Sequence, residues 1–461
     1  MKALRDPDCL LAEGLAAIRT QFKVPEHFPP AVEAAAEAAS GRAPTEHADR
    51  TAMPFVTLDP ASATDLDQAF AIEAAGSDLL LHYAIADVAW FVSDGDPLDT
   101  EAWTRGETTY LPGAKASLYP RVLSEGAASL LPDGPRPAVL FTTRVMPDGA
   151  VKLEGVERAL IRSRAKLAYE NARADQLPAQ FAELSRRLAA AEDARGAARV
   201  DPPEQEVSRD EAGHFTLQLR PLGLAEKQNA ALSLASNLAV AQALLAAETG
   251  LFRVMPEPDA RAAARLRHTA RAFKLDWPED ASLPQFARLL DPQDPRAAAF
   301  MLAVRRAGNG ASYAPFAAGK VPWHAAVAAT YCHMTAPLRR LADRYVIRAA
   351  LALAQGQPVP AGVSEAFHKL GPVMAKSGAR SSQVERAVID LAEAAMLEGR
   401  EGEAFAAVVT DITEQGARIQ LCELPVVART TARRVVPGDA ITVRLEEADP
   451  ARRELRFERI A

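Results

Sequence analysis

The stretch FVTLDPASATDLDQAF, residues 55–70, sets Asp59, Asp65 and Asp67 within nine residues behind an apolar strand. In an extended segment side chains alternate, so Asp65 and Asp67 project to the same side. Asp59, at the end of the preceding strand, can converge on them across the PASAT loop. Three carboxylates this close repel one another and are costly to bury unpaired. Water or a hard divalent cation makes them tolerable, and magnesium typically takes only one or two protein carboxylates. The alternative is an acidic loop with Asx-turn and helix-cap duties, and the spacing is no strict metal signature. Gln68 follows, where a fourth acid would have strengthened the metal reading.

Outward from this stretch the pattern is β-type: AFAIEA, DLLLHYAIADVAWFV, AVLFTTRVM and VKLEGVERALI, with a turn at Pro147-Asp148-Gly149. Before it, residues 1–50 form a small helical module, with Leu11, Leu15 and Ile18 in one stripe and Pro29-Pro30 ahead of AVEAAAEAA. After it, residues 165–200 are charged and helical, and a strand pair brackets Gly213. EKQNAALSLASNLAVAQALLAAE (226–248) is apolar almost all round, which predicts a buried central helix. Helices dominate to about residue 400, and five or so short strands in the last sixty residues suit a closed barrel of the OB type. The fold class is therefore α+β and multidomain, divided at 1–50, 51–400 and 401–461. No apolar run approaches membrane length and no signal-peptide h-region opens the chain. Three scattered cysteines argue against a disulfide framework and fit a reducing cytoplasm. The net charge of −7 supplies no global basic footprint, so a nucleic-acid partner needs locally placed cations.

Three further segments bear chemistry. In YCHMTAPLRRLADRYVIRAAL (331–351), Thr335 and Pro337 are helix-start signals that put Arg339 and Arg340 in the first turn, where anions are favoured. An arginine fork there suits a phosphate; an i,i+4 pair of Arg339 with Asp343 is the plainer alternative. In ARSSQVERAVIDLAEAAML (379–397), Arg386 can pair with Asp390, whereas Glu385 has no such partner. In RGETTYLPG (105–113), Tyr110 precedes a Pro112-Gly113 turn, either as a base-stacking platform or as a half-buried ring with a bonded hydroxyl.

In this order the motifs TLDPASATDLDQAF, AIADVAWFV, LDTEAWTRGETTYLPG, HMTAPLRRLADRYVIRAAL and QVERAVIDL resemble the ribonuclease II/ribonuclease R family. The likeness spans roughly residues 50–400, the mixed α/β RNB catalytic domain, and 402–461 resembles the family's C-terminal RNA-binding OB barrel. It implies a metal-dependent 3′→5′ exoribonuclease, a hydrolase that releases 5′-mononucleotides from single-stranded RNA. It further implies two-metal in-line attack of water with Mg2+ (or Mn2+), two ions being present with substrate bound. Carried over by residue, Asp59, Asp65 and Asp67 match the metal cluster, and Asp67 the most activity-sensitive aspartate. Arg339 matches the arginine on the scissile phosphate, Glu385 the glutamate near the 3′-terminal nucleotide, and Tyr110 the aromatic on the last base. Arg340 joins them as an RNA contact, and the stretch IRSRAK (161–166) and the arginines of 339–348 are the candidate lining. The resemblance also implies a cytoplasmic protein acting on RNA 3′ ends, a monomer without an obligate protein partner or a membrane.

Three departures stand out. Gln68 occupies the place of a fourth aspartate, where its amide oxygen would be a weak ligand. Val200 lies about where a phenylalanine completes the base clamp. Fifty helix-forming residues stand where tandem cold-shock domains are common, so a small module, helix-turn-helix-like, would control RNA entry. Gln68 and Val200 together define the rival expectation, a catalytically impaired RNA-binding protein that keeps the fold. A phosphatase or DNA nuclease on another fold would explain the acids but not the ordered motifs.

Overall fold

DLLLHYAIA runs through the main sheet: burial alternates at its start, with Leu79, Leu81 and Tyr83 buried and the residues between them less so, and Ala84, Ile85 and Ala86 are then all buried. A computed structural model describes residues 3–4, 10–197, 204–209, 215–220, 222–257, 259–291, 294–307, 310–413, 416–432 and 434–461. Its five-stranded sheet runs Ala48–Asp49, Val151–Ile161, Arg136–Val145, Asp78–Ala86 and Gln68–Ala75 in spatial order. The short first strand is parallel to its neighbour and the other pairs are antiparallel. The β-type runs around residues 55–70 thus form one sheet, except that VAWF makes a helical turn (Val88–Phe91). The Asp87 carboxylate there accepts the Trp90 N–H and ends the strand.

The helix Leu224–Ala246 lies on the inner strands of this sheet. Leu232, Leu234, Leu238, Val240 and Leu244 are all buried, as its all-round apolar pattern predicts. By length and mean hydropathy it is long and apolar enough to cross a membrane, contrary to expectation, yet two-thirds of its most apolar window is buried inside the protein. Among its described residues, the charged stretch 165–200 is helical only over Phe181–Arg195. Its start, Lys166–Ala168, instead pairs in parallel with Thr57–Asp59. Phe181 stacks on Phe70 at 5.4 Å between ring centres, which docks that helix onto the edge of the core.

The N-terminal helices Leu10–Gln21 and Pro30–Ser40 face different parts of the molecule. Leu11 and Ile18 pack with Val384, Val388 and Leu391 of the long helix Ala361–Leu397, whereas Val32, Ala36 and Ala39 join the main core. The two strands expected beside Gly213 are Glu204–Arg209 and Phe215–Arg220, antiparallel; Gly213 itself lies outside the described residues.

The last strands close a barrel in the order Ala404–Thr413, Gly416–Leu421, Val427–Thr430, Glu454–Arg459 and Ala440–Asp449. Leu397, at the end of the long helix, enters the barrel core. One turn earlier, Glu393 accepts the Val427 N–H at 2.7 Å and the Gln205 amide at 2.6 Å. Helix, barrel and the Glu204–Arg209 strand are tied at that buried carboxyl, which burial pushes up to about 8.

Leu238→Ala should lower the unfolding free energy by about 2–5 kcal/mol, the range for truncating a buried leucine. Denaturant unfolding at fixed slope checks it, and a loss under about 1 kcal/mol would contradict the packed position of this helix.

Candidate active site

Asp59 ends its short strand, and the Tyr169 N–H donates to its carbonyl at 3.1 Å. The loop that follows is fixed by Ser129, whose hydroxyl accepts the Leu66 N–H at 2.9 Å and donates to the Thr64 carbonyl at 2.8 Å. Leu66 is fully buried, so its neighbours Asp65 and Asp67 turn the other way. Asp67 itself is 5% exposed; its Oδ1 accepts the Leu338 N–H at 2.7 Å, and the Arg339 Nε lies 3.8 Å from its Oδ2.

Burial raises the Asp67 carboxyl well above the usual range, against the pull of Arg339 and the Leu338 N–H. Burial likewise pushes Asp59 up to about 6, with Asp65 adding to the shift and Arg339 and Lys166 opposing it. Asp65 is held differently. The Lys115 ammonium meets its Oδ1 at 2.7 Å, and the Tyr110 hydroxyl reaches its Oδ2 at 3.5 Å. Tyr110 and Lys115 are cross-strand partners in the hairpin Thr109–Leu111/Ala114–Ala116, so one element delivers both to the same carboxylate. The Tyr110 ring is 51% exposed and offers a free face; burial of its hydroxyl end and then Asp65 push the phenol up.

The arginines do not sit where the helix-start signals put them. The helix begins at Leu341, and Arg339 and Arg340 lie in the turn before it. The cause is backbone pairing: the Thr108 N–H donates to the Arg339 carbonyl at 3.0 Å, and the Leu341 N–H to the Gly106 carbonyl at 3.0 Å. Gly106 has φ +75°, and a Cβ there would stand 2.6 Å from the Ser377 Oγ, so only glycine fits this crossing. The anticipated Arg339–Asp343 pair is replaced by a fork from Arg340 to the fully buried Asp343 at 2.8–3.2 Å. Arg344 pairs with Asp99 and Arg348 with Asp94. Carboxylates thus neutralise three of the four arginines of the 339–348 segment, among them Arg340, expected as an RNA contact. Arg339, its side chain 42% exposed, is the one left facing the acids. In IRSRAK, Arg162 and Arg164 are exposed beside the Asp59 strand, and the Lys166 ammonium donates to the Ala61 carbonyl.

Gln68 is engaged at both ends. Its Nε2 donates to the Thr335 carbonyl at 2.7 Å, and its Oε1 accepts the Tyr83 hydroxyl and, at 3.3 Å, that of Ser233. A weak-ligand role would have to displace these bonds. Glu385 is exposed and makes no hydrogen bond or ion pair among the described residues. It flanks Val384, which packs with Leu111 of the Tyr110 hairpin. The expected Arg386–Asp390 contact is not direct: Asp390 is raised by burial, with Arg386 and three other arginines opposing. Val200 lies outside the described residues.

A divalent cation fits part of this arrangement. Asp67, buried, and Asp59, half-buried, are hard oxygen donors whose desolvation outweighs the positive charge nearby, a deficit such an ion relieves. Among the described residues no three acidic, histidine or cysteine side chains are gathered to hold one, and Asp65 already carries Lys115. Sequence reasoning missed Lys115, although the two-residue Pro112-Gly113 loop sets it opposite Tyr110. It also missed Ser129, which has no local signal.

Residues 48–355 match the RNB domain, and residues 403–460 match the RNase II-type exonuclease C-terminal S1 domain. The chain belongs to the RNB-domain family. It is similar to Exoribonuclease 2 of Enterobacter sp. (strain 638), 29% identical over 409 residues, covering 83% of this chain and 62% of that protein. Ribonuclease R of Aquifex aeolicus is 27% identical over 433 residues, covering 87% and 61%. The chain thus spans about three-fifths of the length of these relatives. Among solved structures, Mycoplasma genitalium RNase R in complex with ribose-methylated single-stranded RNA superimposes with a TM-score of 0.87. That match covers all of this chain and 79% of the other at 21% identity, a likeness of fold.

A prediction follows from Asp59. With a folded-state value of about 6 against an ordinary 3.8, the folded protein holds a proton there that the unfolded chain has released. The metal-free protein therefore loses stability as pH rises from about 4 to about 6, and the loss persists above that. Asp59→Asn should raise the metal-free melting temperature near pH 8, with the gain fading toward about pH 4. Thermal unfolding in chelator checks this, and an equal gain at both ends would contradict it.

Proposed function

We propose that this protein is a metal-dependent 3′→5′ exoribonuclease that hydrolyses single-stranded RNA to 5′-mononucleotides. The observation that carries the reading is Arg339. Its guanidinium stands 3.8 Å from the buried Asp67, makes no side-chain hydrogen bond among the described residues, and is open to solvent. Its neighbours in the 339–348 segment are all paired with carboxylates, so this one cation is kept for a ligand. A scissile phosphate offers the planar, bidentate acceptor that a guanidinium suits.

The chain's own residues then divide the work. Arg339 meets negative charge that grows on the phosphoryl oxygens in the transition state. Asp67 orients Arg339 and, through the Leu338 N–H, fixes the turn that presents it. The exposed face of Tyr110 takes the last base, a stacking contact worth about 1–3 kcal/mol. Glu385, on the flank of the same hairpin, receives the terminal ribose, whose 2′-hydroxyl distinguishes RNA from DNA. Asp59 and Asp67 would hold a divalent cation, Mg2+ or Mn2+, which would supply positive charge and lower the pKa of a bound water. Arg162 and Arg164 lie where they would track the backbone without regard to base identity, with the strong salt dependence that phosphate contacts bring. The reading carries with it a cytoplasmic monomer working on free 3′ ends.

Incubation with a 5′-labelled, 3′-extended RNA tests the proposal. Progressive shortening that requires magnesium is expected; binding without shortening would make the protein an inactive RNA binder, and equal cutting of DNA would place it in another class. Arg339→Ala should reduce turnover by roughly a hundredfold or more with a smaller effect on RNA affinity. Asp67→Asn should nearly abolish turnover and leave binding in place. Single-turnover kinetics beside a binding titration separate the two effects, and wild-type turnover in either variant would remove that residue from the site.

A further inference from the structure

Lys115 has no part in the mechanism above, yet its ammonium lies in the acid cluster. It meets the Asp65 Oδ1 at 2.7 Å and the Glu125 Oε1 at 3.2 Å, and all three side chains are mostly shielded, at 21%, 12% and 11% exposure. Two further constraints hold it there. The Tyr110–Lys115 register of the hairpin fixes its backbone, and the Glu125 carboxylate, lowered by Lys115 against the cost of its burial, is also bound by Arg121. A lysine amine is a compact, strongly hydrated point charge, and desolvating it is compensated only by partners of this kind.

We infer that Lys115 is a built-in cation that occupies Asp65 and restricts the site to one divalent ion, held by Asp59 and Asp67. The inference rests on the metal-dependent reading above and narrows it, since the family resemblance implies two ions. Charge supports it. Arg121 matches Glu125, and Asp59, Asp65 and Asp67 face Lys115 and Arg339, with Lys166 adding to the positive side, so at most one negative charge remains and a second divalent ion has none to neutralise. Ligand supply supports it independently. A second ion would need Asp65, and the Lys115 ammonium already holds that carboxylate at 2.7 Å. Lys115 acts through Asp65 and is a positioning residue for the ion, with no contact to substrate required.

Manganese binding by the full chain tests this, counted by electron paramagnetic resonance with and without an RNA whose 3′-terminal linkage is a non-hydrolysable methylene phosphonate. Wild type and Lys115→Arg should each hold one ion, and Lys115→Met, which removes the ammonium shared by Asp65 and Glu125, should hold two. Should Lys115→Met fail to fold, Asp65→Asn serves instead. It should retain the single ion within about tenfold in Kd, whereas Asp67→Asn should weaken it by roughly a hundredfold or more. Two ions on the wild type, or one on Lys115→Met, would overturn the inference and leave the nuclease reading standing. One ion on the wild type with no RNA shortening would overturn the nuclease reading and leave the role of Lys115 intact.

Discussion

The 2.7 Å hydrogen bond from the Leu338 N–H to Asp67 joins two segments 271 residues apart in the chain, and the candidate site depends on it. A buried carboxylate tolerates its environment only with such donors, and this one receives a single backbone N–H and a distant guanidinium. The bond seats the 336–340 turn against the acidic loop. The Arg339 and Leu341 backbone groups then pair with residues 106–108, which carry the chain into the Tyr110 hairpin. Acid cluster, arginine and aromatic platform therefore form one mechanical unit assembled from three distant stretches. The long helix closes it from behind, through Ser377 beside Gly106 and Val384 beside Leu111.

The charges within this unit show a consistent division. Arg340, Arg344 and Arg348 each meet a carboxylate, Asp343, Asp99 and Asp94, and so act as structural ties. Asp343 is the most enclosed of these acids; it also accepts the Ala336 N–H at 2.8 Å and so shapes the turn itself. For Arg340 and Arg344, breaking one partner of the pair leaves an uncompensated charge in the interior, so these two stay with their carboxylates. Arg339 alone combines a short reach to the acids with access to solvent.

Much of this was legible in the sequence because it is periodic. The short β-type runs from AFAIEA to VKLEGVERALI placed the sheet, the unbroken apolar pattern of 226–248 placed the central helix, and the spacing of Asp65 and Asp67 put both on one side. The ordered motifs located Arg339 and Tyr110. What escaped is non-local. Gln68 reads as a failed acid until Tyr83, Ser233 and the Thr335 carbonyl, from three other elements, are seen around it. The exchange of Asp343 from Arg339 to Arg340 follows from backbone bonds to residues 106–108, which no local pattern announces. Lys115 is an intermediate case: the turn fixes its register against Tyr110, but its reach to Asp65 requires the fold.

The central helix Leu224–Ala246 has a consequence for how the chain is made. All five strands of the sheet that buries it, residues 48–161, lie earlier in the chain and leave the ribosome first. When this apolar segment emerges, its docking surface is already outside and able to assemble. A sequence apolar enough to attract a bilayer or other nascent chains therefore meets its own sheet before either. Strand order along the chain thus protects this helix during synthesis, in the interval before the later helices arrive to cover it.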